Sequence, residues 1–329
     1  MNDIFNFNGV KITLLQGDCI DVLQTLPAHS FHTCITSPPY LHLRDYAVAG
    51  QIGQEVSAEA YIAKLVEVFR AVKRVLRADG TLWLNLGDCY APDKNRLLMP
   101  ARVALALQAD GWCLRDEILW HKPRCTPNSV KDRTCAAHEF IYMLTTQPKG
   151  YYYDYLAIEE PSKYAGAIKD YTAGTQKNVG RVAKAPGGIA RVIVVRQTRR
   201  KRSVWSVSPE PLKVKHFGSF PTRLIEPCVL AGCPENGNIL DPFGGTGTTG
   251  LVAQRNRRNA TLIELNPEYL SFARERLGLF NPCDAPPAEL SRFDAHPPSP
   301  ERNVSVGPTV PGVSTHRPAV SPGHCSGGL

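Results

Sequence analysis

The sequence lacks the features that mark membrane-spanning, secreted and zinc-binding proteins. Its 329 residues contain no apolar run of about 18 or more, the length that a transmembrane helix needs. The N-terminal stretch MNDIFNFNGVKI has neither the basic start nor the apolar core of a signal peptide. The ten cysteines form no CxxC pair and no Cys/His cluster at zinc spacing. We therefore expect a cytoplasmic protein with no membrane partner and no metal, whose reduced cysteines pack as small apolar residues.

Positive charge exceeds negative charge, and it is concentrated in one segment. The net charge is +8 and the pI is near 9.0, values that suit a polyanionic partner. The densest basic stretch is RQTRRKRS (196–203), and a further lysine stands among aromatic residues in WHKP (120–123). A charged run is also typical of a solvated face or loop. The candidate contacts to nucleic acid are Lys122, Arg199, Arg200, Lys201 and Arg202.

Apolar residues recur with two different periods along the chain. Short apolar runs predict strands within the segments 10–18, 31–40, 81–88, 114–123, 139–146, 238–243 and 259–265. Apolar residues three and four apart predict helices at 19–27, 57–80, 97–112, 216–237, 248–256 and 267–278. Ser57 can cap the second helix, and Asp79-Gly80 is expected to end it. Strands that alternate with helices indicate an α/β fold with a doubly wound, largely parallel sheet.

The periodic pattern is interrupted once and then ends. From about 149 to 203 it is lost, which predicts an inserted region or a small second lobe between two parts of one domain, 1–148 and 204–280. From 281 to 329 the chain is rich in Pro, Ser, Gly and Val. It lacks there the apolar periodicity that could offset its ordering entropy. We expect this last segment to be a disordered tail.

A glycine-rich turn stands between a predicted strand and a predicted helix in NILDPFGGTGTTGLVAQ (238–254). Glycines allow close backbone approach to a ligand, and the helix N-terminus offers free amide donors. The spacing Gly245-x-Gly247-x-x-Gly satisfies the dinucleotide fingerprint, and Glu264 closes the next strand where a carboxylate could accept from ribose hydroxyls. A phosphate-binding loop is disfavoured, because Leu251 stands where that motif has Lys. Alone, the stretch predicts an adenosine-type cofactor.

A second stretch, HTCITSPPYLHLRDY (32–46), ends an apolar run abruptly at Ser37-Pro38-Pro39-Tyr40. Proline fixes φ and has no backbone donor, so two in succession must leave a sheet. Taken alone, this tetrapeptide favours an ordinary turn with a half-buried tyrosine. Together with DPFGGTGTTG it resembles the amino-methyltransferases of DNA, in the group whose catalytic motif precedes the cofactor motif. That family has Asp, Asn or Ser before Pro-Pro-Tyr, and a Phe-x-Gly-x-Gly motif that Phe243, Gly245 and Gly247 match.

The resemblance covers roughly 10–148 and 204–278, and it implies a fold, a cofactor and a substrate. The sheet would be of the S-adenosylmethionine-dependent methyltransferase type, circularly permuted, with 149–203 as an inserted target-recognition region. S-adenosyl-L-methionine would be the cofactor and double-stranded DNA the partner, with a cognate restriction endonuclease acting separately. RNA and protein stay open as alternative substrates of a methyltransferase. The implied cofactor residues are Asp18 at the adenine, Glu264 at the ribose, His216 and Phe217 beside the methionine moiety, and Asp241, Phe243, Gly245 and Gly247 in the motif.

The implied reaction assigns the Ser-Pro-Pro-Tyr motif the function of binding the target base and its amino group. The exocyclic amine of cytosine or adenine is a poor nucleophile, and acceptors aimed at its hydrogens can favour a pyramidal nitrogen. Ser37 Oγ and the Pro38 carbonyl are suited to accept, Pro39 stiffens the backbone, and Tyr40 offers a stacking face to a base flipped out of the duplex.

The same motif favours one product over its alternatives. Ser37 stands where adenine-modifying relatives more often carry Asp or Asn, so we expect N(4)-methylcytosine. N(6)-adenine methylation by the same mechanism stays open as the alternative. A second alternative, an NAD-dependent oxidoreductase, is supported by the glycine pattern alone and leaves the Ser-Pro-Pro-Tyr motif without a function. A third, a nucleic-acid-binding module without catalysis, would explain the basic run but not the paired motifs.

Overall fold

A nine-stranded sheet with helices on both faces organises the part of the chain that the structure describes. The structure is a computed structural model, and it describes residues 2–125, 129–170, 192–210 and 220–278. The strands are β1 (Asn2–Phe7), β2 (Val10–Gln16), β3 (Phe31–Thr36), β4 (Leu76–Leu86), β5 (Cys113–His121), β6 (His138–Thr145), β7 (Glu160–Pro161), β8 (Ile168–Asp170), β9 (Val192–Val194), β10 (Thr198–Arg199), β11 (Val204–Ser206), β12 (Asn238–Asp241) and β13 (Asn259–Glu264). The helices are α1 (Cys19–Thr25), α2 (Ala58–Val75), α3 (Met99–Ala109), α4 (Thr222–Gly232), α5 (Thr248–Arg255) and α6 (Pro267–Gly278), and a 3-10 turn spans Leu156–Ile158.

The strands of the main sheet run in the order β1-β2-β13-β12-β3-β4-β6-β5-β11. Strands β2, β13, β12, β3 and β4 are mutually parallel. In contrast, β1 pairs antiparallel with β2, and β6 pairs antiparallel with β4 and β5. The last two strands of the chain, β12 and β13, therefore lie at the centre of the sheet, between β2 and β3. The predicted α/β fold with a largely parallel sheet is confirmed, and its strand order is the one that a permuted arrangement requires.

Side chains alternate between the two faces of the sheet along each central strand. In β12, Ile239 belongs to the apolar cluster on one face and Leu240 to the cluster on the other, and both are fully buried. Helices α4, α5 and α6 pack on the Ile239 face, and α1, α2 and α3 pack on the Leu240 face. A strand covered on both faces reads as a continuous apolar run, which explains why these strands are visible in the sequence.

Helix α2 begins where the sequence predicts and ends earlier. Ser57 Oγ accepts a hydrogen bond from the Ala60 amide at 3.1 Å, so the predicted cap is confirmed. The prediction that the helix continues to Gly80 is wrong. The helix ends at Val75, and Leu76 adopts an extended conformation and already pairs with β3. Strand pairing across the sheet decides this boundary, and the helical period alone does not reveal it.

The segment predicted as an insertion, 149–203, forms short strand pairs where it is described. Strand β7 pairs with β10 and β8 pairs with β9, both antiparallel. The chain then rejoins the main sheet at β11, which pairs in parallel with β5 and buries Trp205. The start of the segment lies against α4, because the Asp154 amide donates to the Ala231 carbonyl at 2.9 Å.

Several predicted features lie outside the described residues. They are the tail (281–329), the middle of the inserted segment (171–191), and His216 and Phe217. The helix predicted for 216–237 is shorter where it is described, since α4 spans Thr222–Gly232. Among the described helices, none is long and apolar enough to cross a bilayer. In the same ranges, no group of three or more His, Cys, Asp and Glu side chains is placed to hold a metal ion.

Candidate active site at the carboxyl edge of the sheet

The carboxyl ends of the central parallel strands open onto one cavity of about 620 Å³. Because β2, β3, β12 and β13 run in the same direction, the residues that follow each strand meet at this edge. The predicted site residues that line the cavity are Asp18, Ser37, Pro38, Pro39, Tyr40, Lys122, Asp241, Phe243, Gly245 and Glu264. The fold therefore brings together the two motifs that lie far apart in the sequence.

Glu264, at the end of β13, presents a carboxylate that backbone amides hold in place. Its Oε2 accepts from the Gly245 amide at 2.8 Å, and its Oε1 accepts from the Asn266 amide at 2.8 Å. Burial raises the pKa of Glu264 above its ordinary value, and the amide bonds oppose that rise. Each carboxylate oxygen can accept more than one hydrogen bond, so the group keeps acceptor capacity for ligand hydroxyls in the cavity.

Asp18 follows β2 and caps helix α1. Its Oδ1 accepts from the Ile20 amide at 2.8 Å and from the Asp21 amide at 3.3 Å. The cap accounts by itself for an Asp at this position, since a capping carboxylate stabilises the helix N-terminus. The same side chain lines the cavity, which adds the capacity to accept from a ligand.

Asp241 ends β12 and is buried, with 1% of its surface exposed. Its Oδ1 accepts from the Phe243 amide at 3.1 Å, and its Oδ2 accepts from the Thr249 hydroxyl at 2.6 Å. Burial raises the pKa of Asp241 to about 6. These bonds show that Asp241 holds the glycine-rich turn and the start of α5 in place.

The two predicted glycines of the turn have different surroundings. Both have positive φ, 51° at Gly245 and 81° at Gly247. Gly245 lines the cavity, whereas Gly247 does not. A Cβ at Gly247 would lie 3.2 Å from the Cβ of Ala273 in α6. Gly247 therefore allows two helices to approach beneath the turn, a packing role that the motif does not reveal.

Arg276 of α6 supports the same turn and was not predicted from the sequence. Its Nη1 donates to the Thr248 hydroxyl at 2.8 Å and to the Thr246 carbonyl at 3.3 Å. Both threonines line the cavity. Burial lowers the pKa of Arg276 below its ordinary value. An arginine in the last turn of a helix gives no sequence signal for this contact, because such residues are usually solvated.

The Ser-Pro-Pro-Tyr motif lies at the cavity edge directly after β3, and its surroundings hold it. The Tyr61 hydroxyl of α2 donates to the Pro39 carbonyl at 2.8 Å. Ser37 Oγ donates to the Tyr40 hydroxyl at 3.2 Å. The Tyr40 ring packs on Gly87, where a Cβ would come within 2.5 Å of a ring carbon. The motif is therefore fixed by neighbouring elements as well as by its own prolines.

Two polar residues beside the motif, Asn85 and Glu139, were not predicted from the sequence. Glu139 Oε2 accepts from the Tyr40 hydroxyl at 2.8 Å and from Asn85 Nδ2 at 3.0 Å. Glu139 Oε1 pairs with Lys122, whose ammonium lies 4.2 Å from the centre of the Trp120 ring. The Glu139 and Lys122 side chains are 16% and 21% exposed. A Glu at the start of the apolar run EFIYMLTT is the signal that the sequence offers, and it does not indicate the partners.

The loop after the motif supplies another part of the cavity wall. Arg44 and Tyr46 from this loop line the cavity, together with Tyr269 of α6. The Tyr46 and Tyr269 rings meet edge to face with their centres 5.8 Å apart. Burial raises the pKa of Tyr46 to about 12, so its hydroxyl stays protonated at neutral pH.

The basic run of the inserted segment contributes nothing to the cavity wall. Arg199 and Arg202 both pair with Glu160, at 2.9 Å and 2.7 Å. Arg200 and Lys201 each lie over an aromatic ring. None of these four side chains is among the residues that line the cavity. The run is therefore attached to its own segment and, through Lys201, to Trp205 of β11. Its candidate role in DNA contact concerns a surface outside the cavity.

Known proteins that are similar to this chain are DNA methyltransferases. A family model described as DNA methylase matches residues 31–275. The chain is 40% identical over 293 residues to the Type II methyltransferase M.XycI of Xanthomonas campestris pv. cyanopsidis. That alignment covers 80% of this chain and 87% of M.XycI. The chain is 38% identical over 300 residues to M.SmaI of Serratia marcescens, with 83% and 92% covered. These matches define a Type II DNA methyltransferase. The chain belongs to the N(4)/N(6) DNA amino-methyltransferase family.

Solved structures agree with this fold. PvuII DNA methyltransferase, a cytosine-N4-specific enzyme, superposes with a TM-score of 0.61 at 18% identity, over 82% of this chain and 86% of that one. TTHA0409 of Thermus thermophilus, complexed with S-adenosyl-L-methionine, gives 0.53 at 26% identity, over 80% and 94%. The expected methyltransferase sheet is confirmed. Family membership decides against the oxidoreductase and against a binding module without catalysis.

The cavity suits S-adenosyl-L-methionine, the cofactor of this family. Its volume of about 620 Å³ lies within the usual range for cofactor sites. The Asp18 and Glu264 carboxylates at its wall can accept from the amino and hydroxyl groups of an adenosine. Gly245 leaves room for close backbone approach between them. The residues present therefore fit this cofactor.

Proposed function

We propose that this chain methylates the exocyclic 4-amino group of cytosine in double-stranded DNA. The observation that carries the proposal is Ser37, a neutral hydroxyl at the edge of the cavity that the cofactor residues line. The resemblance associates Ser at this position with cytosine more often than with adenine. Asp18, Asp241, Phe243, Gly245 and Glu264 would hold the cofactor, and Gly247 would support the turn from below.

The residues of the motif divide the work on the target base. When bound, S-adenosyl-L-methionine supplies an electrophilic methyl group on a sulfonium sulfur. Ser37 Oγ and the Pro38 carbonyl accept the two amino hydrogens, which directs the nitrogen lone pair into the cavity. Tyr40 contributes a ring surface for the base, which must be flipped out of the duplex to reach this depth. The proton released from the methylated amine passes to solvent.

Contacts to the rest of the DNA would come from two regions. Lys122 lies at the cavity wall, where its ammonium can reach an acceptor on the flipped nucleotide or its phosphate. We assign target recognition to the inserted segment 149–203, which carries the basic run. A cognate restriction endonuclease would act as a separate protein on the unmethylated site. Host DNA carrying the modification would then resist an endonuclease of the same specificity, and unmodified DNA would be cut.

Digestion of modified DNA to nucleosides tests the product. Duplex DNA incubated with the purified chain and cofactor is hydrolysed and separated by mass, and we expect N(4)-methylcytosine. Ser37→Ala should lower turnover strongly while it leaves cofactor affinity unchanged, because the deleted acceptor acts mainly in the transition state. The 6-amino group of adenine is the second candidate. A product made solely of N(6)-methyladenine would overturn the cytosine assignment.

A further inference from the structure

Glu139 closes a chain of hydrogen bonds that begins at the catalytic serine. Ser37 Oγ donates to the Tyr40 hydroxyl at 3.2 Å, and the Tyr40 hydroxyl donates to Glu139 Oε2 at 2.8 Å. The other Glu139 oxygen pairs with Lys122. These hydrogen bonds link Ser37 to a carboxylate on β6 that lines the same cavity and is 16% exposed.

The direction of these hydrogen bonds follows from which groups can donate a hydrogen. An ion-paired carboxylate is an acceptor only, so the Tyr40 hydroxyl must give its hydrogen to Glu139. Burial, and then the Glu139 carboxylate, hold the pKa of Tyr40 well above its ordinary value, so the hydroxyl keeps that hydrogen. The Tyr40 oxygen is left as an acceptor, and the Ser37 hydroxyl gives its own hydrogen to it.

Asn85 reinforces the same direction. Its Nδ2 donates to the Tyr40 hydroxyl oxygen at 2.8 Å and to Glu139 Oε2 at 3.0 Å, and it lies 3.4 Å from Ser37 Oγ. Its Oδ1 is buried and finds no partner among the described residues. If the Asn85 amide were flipped, Oδ1 would face the Glu139 carboxylate, and two acceptors would meet with no hydrogen between them. The position of Glu139 therefore sets the orientation of the Asn85 amide. The neighbours of Ser37 within the protein are therefore a donor, Asn85, and an acceptor, Tyr40.

We propose that Glu139 is a positioning residue that fixes the Ser37 hydroxyl as a hydrogen-bond acceptor toward the target amine. A serine hydroxyl can donate or accept, but an exocyclic amine offers two N–H donors and needs acceptors. With its hydrogen committed to Tyr40, Ser37 presents a lone pair to the cavity. Glu139 also lines the cavity, but in this role it acts through Tyr40 and not by contact with the cofactor or the base. The inference rests on the proposed amine methylation at Ser37.

Four variants test it by steady-state kinetics and cofactor calorimetry. Glu139→Gln leaves a single acceptor oxygen, for which Lys122, Asn85 and Tyr40 then compete, and so weakens the hydrogen bond to Tyr40. Tyr40→Phe removes that hydrogen bond and keeps the ring. We expect each to lower kcat by about tenfold or more, with the affinity for S-adenosyl-L-methionine unchanged within about twofold. The double variant should be no slower than the slower single variant by more than about twofold, because both changes interrupt one path. If Glu139 were only structural, its replacement would lower the affinity for S-adenosyl-L-methionine, or the losses of kcat in the two single variants would multiply in the double variant.

The matched control is Glu117→Gln. Glu117 on β5 lies opposite Tyr142 of β6 and hydrogen-bonds it, but neither residue lines the cavity. This variant removes a similar Glu–Tyr pair and should keep kcat within about twofold. If Glu139→Gln fails to fold, Tyr40→Phe carries the test alone. Wild-type kcat in either folded single variant, or a multiplicative double variant, would overturn the role of Glu139. Wild-type turnover in Ser37→Ala would overturn the proposed function, and the inference with it.

Discussion

Thr36 donates a hydrogen bond to Asp241 across 205 positions of the sequence, with 2.7 Å between Thr36 Oγ1 and Asp241 Oδ1. Thr36 is the residue before the Ser-Pro-Pro-Tyr motif, and Asp241 is the residue before the glycine-rich turn. Both are buried. The bond therefore connects the strand that precedes the Ser-Pro-Pro-Tyr motif to the strand that precedes the glycine-rich turn, and the buried Asp241 carboxylate holds both.

This carboxylate predicts a pH-dependent contribution to stability. Burial raises the pKa of Asp241 from 3.8 to about 6 in the folded chain, so folding favours its protonated form. The stability contribution is full below the ordinary pKa and is lost as pH rises through about 6. At about 1.4 kcal/mol per unit, the difference in unfolding free energy between wild type and Asp241→Asn should fall by up to about 3 kcal/mol from pH 4 to 7.

Urea unfolding of both proteins at several pH values measures that difference. Asp93→Asn, at an exposed turn, reports the effect of removing a carboxylate from the surface. Parallel stability curves for wild type and Asp241→Asn between pH 4 and 7 would contradict the assignment of a raised pKa.

Removal of the Glu264 carboxylate should weaken cofactor binding. Glu264→Ala deletes the acceptor at the cavity wall and leaves the amides of Gly245 and Asn266 without their partner. A hydrogen bond to a charged group contributes roughly 1.5–3 kcal/mol, so affinity should fall by roughly tenfold to a hundredfold. Calorimetric titration with S-adenosyl-L-methionine measures this. Glu268→Ala, on the exposed side of α6, is the control, and equal affinities in both variants would remove Glu264 from the site.

Substitution of Gly247 should affect folding more than its motif position suggests. Gly247→Ala places a Cβ at φ 81° and 3.2 Å from the Cβ of Ala273. Gly9 has φ 88° with nothing within 4 Å of a Cβ, so Gly9→Ala has the backbone cost without the crowding. We expect Gly9→Ala to lose about 1–2 kcal/mol of unfolding free energy and Gly247→Ala to lose more. Equal losses of unfolding free energy in the two variants, measured by urea unfolding, would show that α6 accommodates the added methyl group without loss of stability.

Neutralising the basic run should change the salt dependence of DNA binding. Replacement of Arg199, Arg200, Lys201 and Arg202 by Gln should reduce the slope of log affinity against log salt by up to about 0.9 for each phosphate that is no longer neutralised. The affinity for S-adenosyl-L-methionine should be unchanged, because none of these side chains lines the cavity.

The control for charge number replaces four other cations by Gln, all of them in surface ion pairs outside the cavity wall: Lys64, Arg70, Arg77 and Arg257. Glu160→Gln gives the opposite change, since it frees Arg199 and Arg202 from their shared carboxylate and should strengthen DNA binding at low salt. A slope that stays the same in the four-residue variant would assign the run to a solvated surface.

The class of fold and the family follow from patterns that are local in the sequence. Strands β2, β3, β12 and β13 were predicted because strands covered on both faces are apolar throughout. The Ser-Pro-Pro-Tyr motif and the glycine-rich turn were recognisable because prolines and glycines constrain the backbone wherever they stand. The backbone constraints of these prolines and glycines are local, so each motif can be recognised in a single stretch of sequence.

Tertiary structure alone decided which distant residues complete the site. Glu139 lies 99 positions from Tyr40, and it reaches the motif because β6 pairs antiparallel with β4 in one register. A slip of one residue would point it to the other face, and no local pattern encodes that register. The end of α2 at Val75 and the packing of Gly247 on α6 were decided in the same way, by contacts between elements. Contacts of this kind depend on how strands and helices meet, and therefore only the folded chain reveals them.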